Sequence, residues 1–150
     1  MPNIKKVECT SKTIRGLQTR TQNADEMNPQ TQKIAPLWEK FYTQILPTLK
    51  EGTTFYGVYH NYESDVNGMF DVLVGSEQEA EGLTSVTIQE GRYLKFPVKG
   101  EMPQAIIDAW GQVWAYFEDP SIDERRAYET DFEHYLSADE AEIYIGVHYF

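Results

Sequence analysis

The chain has 150 residues, of which 41% are hydrophobic, as is typical of one globular domain rather than of a disordered segment. Its 24 acidic and 13 basic residues give a formal net charge of −11. This excess of negative charge disfavours binding to nucleic acids or anionic membranes, and it would attract a cationic ligand. Cys9 is the sole cysteine, which excludes an intrachain disulfide and a thiolate metal site.

No stretch of the sequence is typical of a targeting or membrane-spanning segment. The first ten residues carry charge and lack the apolar core of a signal peptide. No apolar run approaches the roughly 18 residues of a membrane span. We therefore expect a cytoplasmic protein.

The first predicted elements are an extended segment over residues 7–21, interrupted by Gly16, and a helix that begins near the Asn-Pro pair at 28–29. The helix carries one apolar stripe with the spacing of a buried face, formed by Ile34, Leu37, Trp38, Phe41, Tyr42, Ile45 and Leu46. We expect it to end at Pro47. Because a proline inside a helix costs about 3 kcal/mol, Pro36 leaves open that the regular helix begins only there, after a looser turn.

Two strands are predicted after this helix, over residues 54–62 and 69–75, with Asn67-Gly68 in the turn between them. The acidic stretch 76–82 follows as a joint between two parts of the chain.

The second part repeats the order of the first. An extended segment over residues 86–98, interrupted by Gly91, precedes a helix from Pro103 to the Asp-Pro pair at 119–120. Strands over 126–135 and 142–149 come next. One side of the helix is apolar, with Ile106, Ile107, Trp110, Val113, Trp114 and Phe117.

The order strand, helix, strand, strand therefore occurs twice, with a period of roughly 75 residues, which is too long for a solenoid. We predict an α+β fold of one domain, residues 1–150, with halves at about 4–76 and 83–150. The two halves would contain antiparallel sheet and two main helices, and a pseudo-two-fold axis would relate one half to the other. The cleft at such an axis is the expected ligand site.

Several short motifs share their order and spacing with one known family. They are 20–26 (RTQNADE), 34–38 with Phe41, 56–59 (YGVY), Phe70, 74–75, 91–93 (GRY), 132–135 (FEHY) and 143–145 (IYI). From about Lys6 to Tyr149 the chain thus resembles the integron-cassette effector-binding proteins. These belong to the gyrase-inhibitor-like superfamily, which includes effector domains of bacterial transcription regulators.

The resemblance implies a tandem βαββ fold with a central aromatic pocket that binds lipophilic, often cationic, molecules. A glutamate in the penultimate strand of such proteins faces the ligand, and Glu133 matches it. The first 28 residues are too short and too weakly basic for a helix-turn-helix unit, so the chain resembles a stand-alone form. Some superfamily relatives are hydrolases of cyclopropane-bearing compounds that use the same glutamate, which keeps an enzyme hypothesis open.

Glu133 is the first candidate for a ligand contact. A carboxylate among aromatic residues is costly to desolvate unless a partner, such as an organic cation, stabilises it. Alternation puts Glu129, Asp131 and Glu133 on one face of the strand and Tyr128, Thr130 and Phe132 on the other, so a solvent-exposed position for Glu133 also stays open. A single bulge would reverse this alternation.

Aromatic residues supply the other candidates. Trp110 and Trp114 lie one helical turn apart and either pack in the core or reach a cleft, with Trp38 as the counterpart on the first helix. Phe55 and Tyr59 share one strand face, and Tyr56 and Tyr62 share the other; which face packs on the helices and which is free for a groove stays open. Tyr56, Tyr59 and Tyr144 are predicted ligand contacts. Tyr93 and Tyr144 equally fit cross-strand packing.

Metal and nucleophile chemistry are not indicated. The three histidines, His60, His134 and His148, lie in three different strands without zinc-binding spacing, so we expect no metal site. There is no Gly-x-Ser-x-Gly elbow and no glycine-rich phosphate loop. We expect no cofactor and no catalytic triad.

Three functions remain open. The leading hypothesis is a small-molecule-binding protein for lipophilic cations, acting as a drug sensor or sequestering protein without turnover. The second is a hydrolase with Glu133 as general base. The third is a protein-interaction module whose negative charge suits a basic partner. A homodimer or a separate regulatory partner is compatible with each.

Overall fold

The computed structural model describes residues 4–64 and 68–148. The strands in these ranges are β1 Lys5–Cys9, β2 Lys12–Gln22, β3 Phe55–His60, β4 Met69–Ser76, β5 Thr84–Ile88, β6 Gly91–Lys99, β7 Arg126–Ser137 and β8 Glu140–Val147. The α-helices are α1 Asn23–Glu26, α2 Ile34–Lys40 and α3 Gln104–Glu118. A π-helical turn, Phe41–Ile45, and a 3₁₀ turn, Leu46–Thr48, continue α2.

The described strands form an antiparallel sheet in the order β1-β6-β8-β7-β3-β4-β2-β5. The two predicted repeats lie side by side, with β3-β4-β2 on one side of the β3–β7 pairing and β7-β8-β6 on the other. Counted outward from the β3–β7 pairing, the two repeats therefore have the same strand order. The predicted α+β fold with a tandem βαββ arrangement is confirmed, while the domain limits stay a prediction.

The outermost strands are exchanged between the repeats. β1 pairs with β6 of the second repeat, and β5 pairs with β2 of the first. The long extended segment 7–21 is consequently split at residues 10–11, so the predicted interruption at Gly16 is wrong. Gly16 lies inside β2, where an added Cβ would be 1.8 Å from the carbonyl oxygen of Val74, so the close approach of β2 and β4 requires a glycine there.

The first helix begins later than the sequence predicts. Residues 28–31 form a bend and a turn, and two irregular residues follow. α2 begins at Ile34, where Glu26 accepts hydrogen bonds from the backbone N–H groups of Lys33 (2.9 Å) and Ile34 (3.0 Å). The Glu26 carboxylate thus replaces the predicted Asn-Pro start as the group that satisfies the free amides of the first turn. Pro36 lies in that first turn, where its missing N–H removes no helical hydrogen bond, so the expected penalty does not arise.

The second helix agrees with the prediction, since α3 begins directly after Pro103 and ends before Asp119. Two predicted features, the turn residue Asn67 and the strand end at Tyr149, lie outside the described residues. Within 4–64 and 68–148, no helix combines the length and the apolar composition that crossing a membrane would need.

The two faces of the sheet are buried in different ways. One face packs against α2 and α3 through two apolar clusters. The opposite face is covered by the sheet itself, because Ile88 of β5 and Tyr93 of β6 pack in one cluster with Phe132 of β7. The Gln89 backbone N–H, just after β5, also donates to Thr130 Oγ1 (3.2 Å) of β7. Since β7 neighbours neither β5 nor β6, the sheet is strongly curled.

Candidate functional site

A cleft lies between α2 and α3, on the helix-covered face above the β3–β7 pairing. It holds a larger cavity of about 590 Å³ and a smaller one of about 220 Å³, which share Glu26, Ile34, Tyr59, Ile107 and Trp110 as lining residues. We call the two together the interhelical cleft. The sequence left open whether the groove faces the helices, and in the structure the cleft is on that face.

Glu133 of β7 lies at the base of the larger cavity and is 2% exposed. Its Oε2 accepts hydrogen bonds from Trp110 Nε1 (2.6 Å) and the Tyr59 hydroxyl (2.9 Å), and its Oε1 accepts one from the Tyr135 hydroxyl (2.8 Å). The possibility that Glu133 lies on a wet face is therefore wrong. All three donors are neutral, so they solvate the carboxylate without neutralising its charge.

A glycine opposite Glu133 makes room for this arrangement. Gly57 of β3 is the cross-strand partner of Glu133. An added Cβ on Gly57 would lie 2.7 Å from Glu133 Oε1 and 3.1 Å from Trp38 Cζ2. A larger residue at position 57 would therefore displace the carboxylate from its donors or push Trp38 away.

Aromatic rings from both helices and both central strands surround the carboxylate. Trp38 of α2 is edge-on to Tyr135 at 5.2 Å between ring centroids, and Trp110 of α3 is edge-on to Tyr59 at 5.3 Å. Trp114 continues this aromatic wall 6.5 Å from Trp110 and is 38% exposed at the mouth of the smaller cavity. The cleft consequently combines one ionisable group with several π faces.

Burial changes the ionisation of this centre. Desolvation raises the pKa of Glu133 above its usual value, while the hydrogen bonds from Trp110, Tyr135 and Tyr59 lower it and oppose part of that effect. Burial, together with the nearby Glu133 charge, raises the pKa of Tyr59 and of Tyr135 well above normal. Both tyrosines therefore remain protonated donors at neutral pH.

A second polar cluster borders the smaller cavity. Asp131, two residues before Glu133, is fully buried and accepts hydrogen bonds from Arg126 Nη2 (2.7 Å), the backbone N–H of Gly146 (2.8 Å) and the Tyr62 hydroxyl. The Arg126 guanidinium lies 4.5 Å from the ring centre of Tyr128. Burial lowers the pKa of Arg126, but its interactions with the Asp131 carboxylate and with Tyr62 outweigh this effect, and the net shift is upward. This cluster contains its own ion pair.

The structure brings together four of the six predicted ligand contacts. Tyr59 and Trp110 both donate hydrogen bonds to Glu133, and Trp114 follows along the same cleft. Tyr56 and Tyr144 lie on the opposite face of the sheet. The Tyr56 ring stacks on His134 at 4.2 Å, and its hydroxyl donates to Glu77 at 2.9 Å.

Tyr144 has the cross-strand packing that the sequence left open as an alternative. Its ring stacks on Phe132 at 4.4 Å, and its hydroxyl donates to Glu142 at 2.8 Å. Tyr93 likewise packs edge-on to Phe132 at 5.5 Å. Neither tyrosine borders the interhelical cleft where the structure describes it.

Sequence reasoning missed several residues of the cleft. Tyr135 could have been found, because it lies two residues after Glu133 and so shares its strand face. Tyr62 could not have been found, because alternation predicts it on the face of Tyr56. Asn61, just after the end of β3, has a φ of +52° and redirects the chain towards the helices, so Tyr62 lines the smaller cavity. A register shift between Arg126 and Asp131 brings Tyr128, which has a φ of +53°, to the same side.

Nothing in the described part of the chain indicates a metal centre. No group of three or more His, Cys, Asp or Glu side chains within 4–64 and 68–148 could hold a metal ion. His60 Nε2 is 3.0 Å from Gln18 Oε1, and His134 Nε2 is 2.8 Å from Thr54 Oγ1. These two imidazoles thus have separate partners.

Comparison with known proteins agrees with this architecture. A family model described as integron-associated effector binding protein matches residues 6–147. The chain is similar to the integron cassette protein VCH_CASS2 from the mobile metagenome of Vibrio cholerae, with a TM-score of 0.91, 44% identity, and coverage of 96% of this chain and 95% of that one.

A more distant relative and a further solved structure extend the comparison. YobU of Bacillus subtilis (strain 168), described as a candidate transcriptional regulator, is 26% identical over 83% of this chain and 81% of its own. The structure of SAV2435 bound to tetraphenylphosphonium has a TM-score of 0.73 and 17% identity, covering 97% of this chain and 93% of that one. At that identity the second likeness is one of fold.

Proposed function

The chain belongs to the integron-associated effector-binding protein family, and we propose that it binds lipophilic cations in the interhelical cleft, as a sensor or sequestering protein. Glu133 would pair with the positive charge of the ligand. Tyr59, Trp110 and Trp114 would contact its apolar body. Tyr56 and Tyr144 lie on the other face of the sheet, and their ligand contacts stay a prediction.

One observation carries the proposal: a buried carboxylate held by three neutral donors at the base of a cavity lined with aromatic rings. Removing a carboxylate from water is costly, and hydrogen bonds from neutral groups offset only part of that cost. A lipophilic cation supplies the missing opposite charge, and each ring face adds about 0.5–2 kcal/mol of cation–π attraction.

The comparisons support the ligand class. SAV2435, which shares the fold, has been solved with tetraphenylphosphonium, a lipophilic cation whose charge is shielded by four phenyl rings. A cation of this kind cannot donate a hydrogen bond. Its recognition therefore depends on charge and on ring contacts, the two features that the interhelical cleft offers together.

Binding without turnover is the better match to the Glu133 geometry. A general base must accept a proton from a positioned water or substrate. Both Glu133 oxygens already accept hydrogen bonds, and Oε2 accepts two. These three donors occupy three of the roughly four acceptor positions of a carboxylate, which leaves room for at most one water or substrate hydroxyl at Oε1. On this ground we propose a binding protein and not a hydrolase.

The proposal is tested by titrating tetraphenylphosphonium against tryptophan fluorescence in wild type and Glu133→Gln. We expect Glu133→Gln to lower the affinity about tenfold or more, equivalent to about 1.4 kcal/mol of lost charge pairing. The neutral dye N-phenyl-1-naphthylamine should bind both proteins equally. Equal affinities of both proteins for tetraphenylphosphonium would contradict the proposal.

Glu129→Gln is the matched control. Glu129 lies on the same strand but is exposed, so this change removes the same unit of charge from outside the cleft. Because an exposed charge is screened by solvent, we expect less than a twofold change in cation affinity. A loss equal to that of Glu133→Gln would mean that overall charge, and not the buried carboxylate, attracts the ligand.

A further inference from the structure

The smaller cavity borders a buried donor that has no acceptor. The Arg126 side chain is 8% exposed and uses Nη2 for its ion pair with Asp131. Its Nε is enclosed, and it is the buried side-chain nitrogen or oxygen that lacks a hydrogen-bond partner in the described part of the chain. An unsatisfied buried donor costs free energy and marks a place where an acceptor is missing.

Arg126 is placed where a ligand in the cleft could supply that acceptor. It lines the smaller cavity and also an adjoining cavity of about 380 Å³. Asn23, Trp114 and Tyr128 line both of these spaces as well. The guanidinium therefore belongs to the wall between two cavities, and a ligand in either one reaches Nε when the side chains that enclose it move aside.

The charges around Arg126 specify the kind of acceptor. Asp131 already pairs with the guanidinium and is fully buried, so this ion pair carries no net charge. Glu26 also lines the smaller cavity, and Glu133 lies close by along β7. A carboxylate or phosphate on the ligand would be repelled by these acidic groups, whereas a neutral carbonyl oxygen would not.

The two polar centres are spaced for a single ligand. Glu133 and Asp131 share one face of β7 two residues apart, which separates their backbones by about 7 Å. Tyr59, Ile107 and Trp110 line both cavities and provide an apolar path between the two centres. A ligand with one aromatic ring between its charged and its polar group covers a distance of this order.

We propose that the interhelical cleft prefers bipolar ligands, in which a lipophilic cation at Glu133 carries a neutral amide or ester carbonyl that accepts a hydrogen bond from Arg126 Nε. This inference rests on the proposed function and adds to it a second recognition element. It defines the ligand class by two groups at a set separation rather than by charge alone.

The test compares tetraphenylphosphonium with three derivatives that carry a primary carboxamide on one phenyl ring, attached directly or through one or two methylene groups. Tryptophan fluorescence gives the affinity of each for the wild type. We expect at least one derivative to bind about tenfold tighter than the parent, as for a hydrogen bond from a charged donor. If no derivative binds tighter than tetraphenylphosphonium, the acceptor subsite is disproved, whereas the binding of the parent cation still supports the proposed function.

Arg126→Lys separates the roles of the guanidinium. Lysine keeps a positive charge for Asp131 but lacks the Nε–H group of the arginine guanidinium. Both affinities are measured in this variant, and the affinity of the carboxamide derivative should fall to about that of tetraphenylphosphonium, because the donor that distinguishes the two ligands is gone. A carboxamide gain that persists in Arg126→Lys would overturn the assignment to Nε. Should the variant fail to fold, the comparison of ligands in the wild type still decides the question.

Discussion

Glu133 and Asp131 are two carboxylates on the same strand and the same face of the sheet, both buried, but they are satisfied in different ways. Asp131 has a built-in cation, Arg126, together with a backbone amide and a tyrosine hydroxyl. Glu133 has a tryptophan and two tyrosines, none of them charged. Burial alone therefore does not define a ligand site. A ligand is expected where a charge is solvated but not neutralised, beside an open cavity.

The largest expected effect comes from exchanging each carboxylate for its amide. Asp131→Asn leaves Arg126 buried without its counter-charge, so we expect it to lower the free energy of unfolding by about 3–5 kcal/mol. Glu133→Gln removes a charge that no cation neutralises, so its effect should stay within about 1 kcal/mol. Urea unfolding followed by circular dichroism measures both. Equal losses would mean that Glu133 is as much a structural group as Asp131, which removes the contrast between them.

A second, smaller effect concerns pH. Burial raises the pKa of Glu133 above 4.5, so the folded protein protonates it at a pH where an unfolded chain would keep it ionised. A group with a raised carboxyl pKa stabilises the fold most at low pH, and this contribution is lost as the pH rises through the folded pKa. Cation binding has the opposite dependence, because it requires the ionised form.

The affinity for tetraphenylphosphonium should therefore be constant near pH 8 and fall as the pH is lowered through the raised pKa of Glu133. The midpoint of this fall should lie above 4.5. In Glu133→Gln the weaker affinity should not change over the same range. A wild-type profile that is flat down to pH 4 would show that the carboxylate does not carry the binding energy.

The sequence predicted the fold better than it predicted the faces of the sheet. Two copies of strand, helix, strand, strand can be recognised from hydrophobic periodicity, because each element buries a face of its own. The exchange of β1 and β5 between the repeats cannot be recognised in this way, since strand pairing depends on long-range contacts that periodicity does not encode. The late start of α2 depends on a side-chain cap, Glu26, eight residues before the helix.

The candidate site was partly predictable for a similar reason. Glu133 and Tyr59 lie where β7 and β3 pair in continuous register, so alternation holds there, and the structure puts both in one cleft. Tyr62 and Tyr128 follow backbone positions with positive φ or a register shift, where alternation fails. Whether a face is covered by helices or by the curled sheet is a tertiary property. Alternation separates Tyr56 from Tyr59, but it does not show which of the two faces the helices; in the structure Tyr59 borders the cleft and Tyr56 lies on the other face, so the role of Tyr56 as a ligand contact stays a prediction.

The smallest expected effect distinguishes Tyr59, which donates to Glu133, from Tyr56, which lies on the opposite face of the sheet. Tyr59→Phe removes one donor from Glu133 and should shift the pH midpoint of cation binding upward, because a hydrogen bond to the ionised form lowers a carboxyl pKa. Tyr56→Phe removes a hydroxyl that donates to Glu77 on the opposite face. It should leave the midpoint unchanged and alter the affinity at pH 8 by less than about twofold, as should Tyr144→Phe, because distant sites act independently. A threefold or greater loss of affinity in Tyr56→Phe or Tyr144→Phe would instead place ligand contacts on the face away from the helices. The difference between Glu133, which is solvated, and Asp131, which is neutralised, would then no longer locate the ligand site.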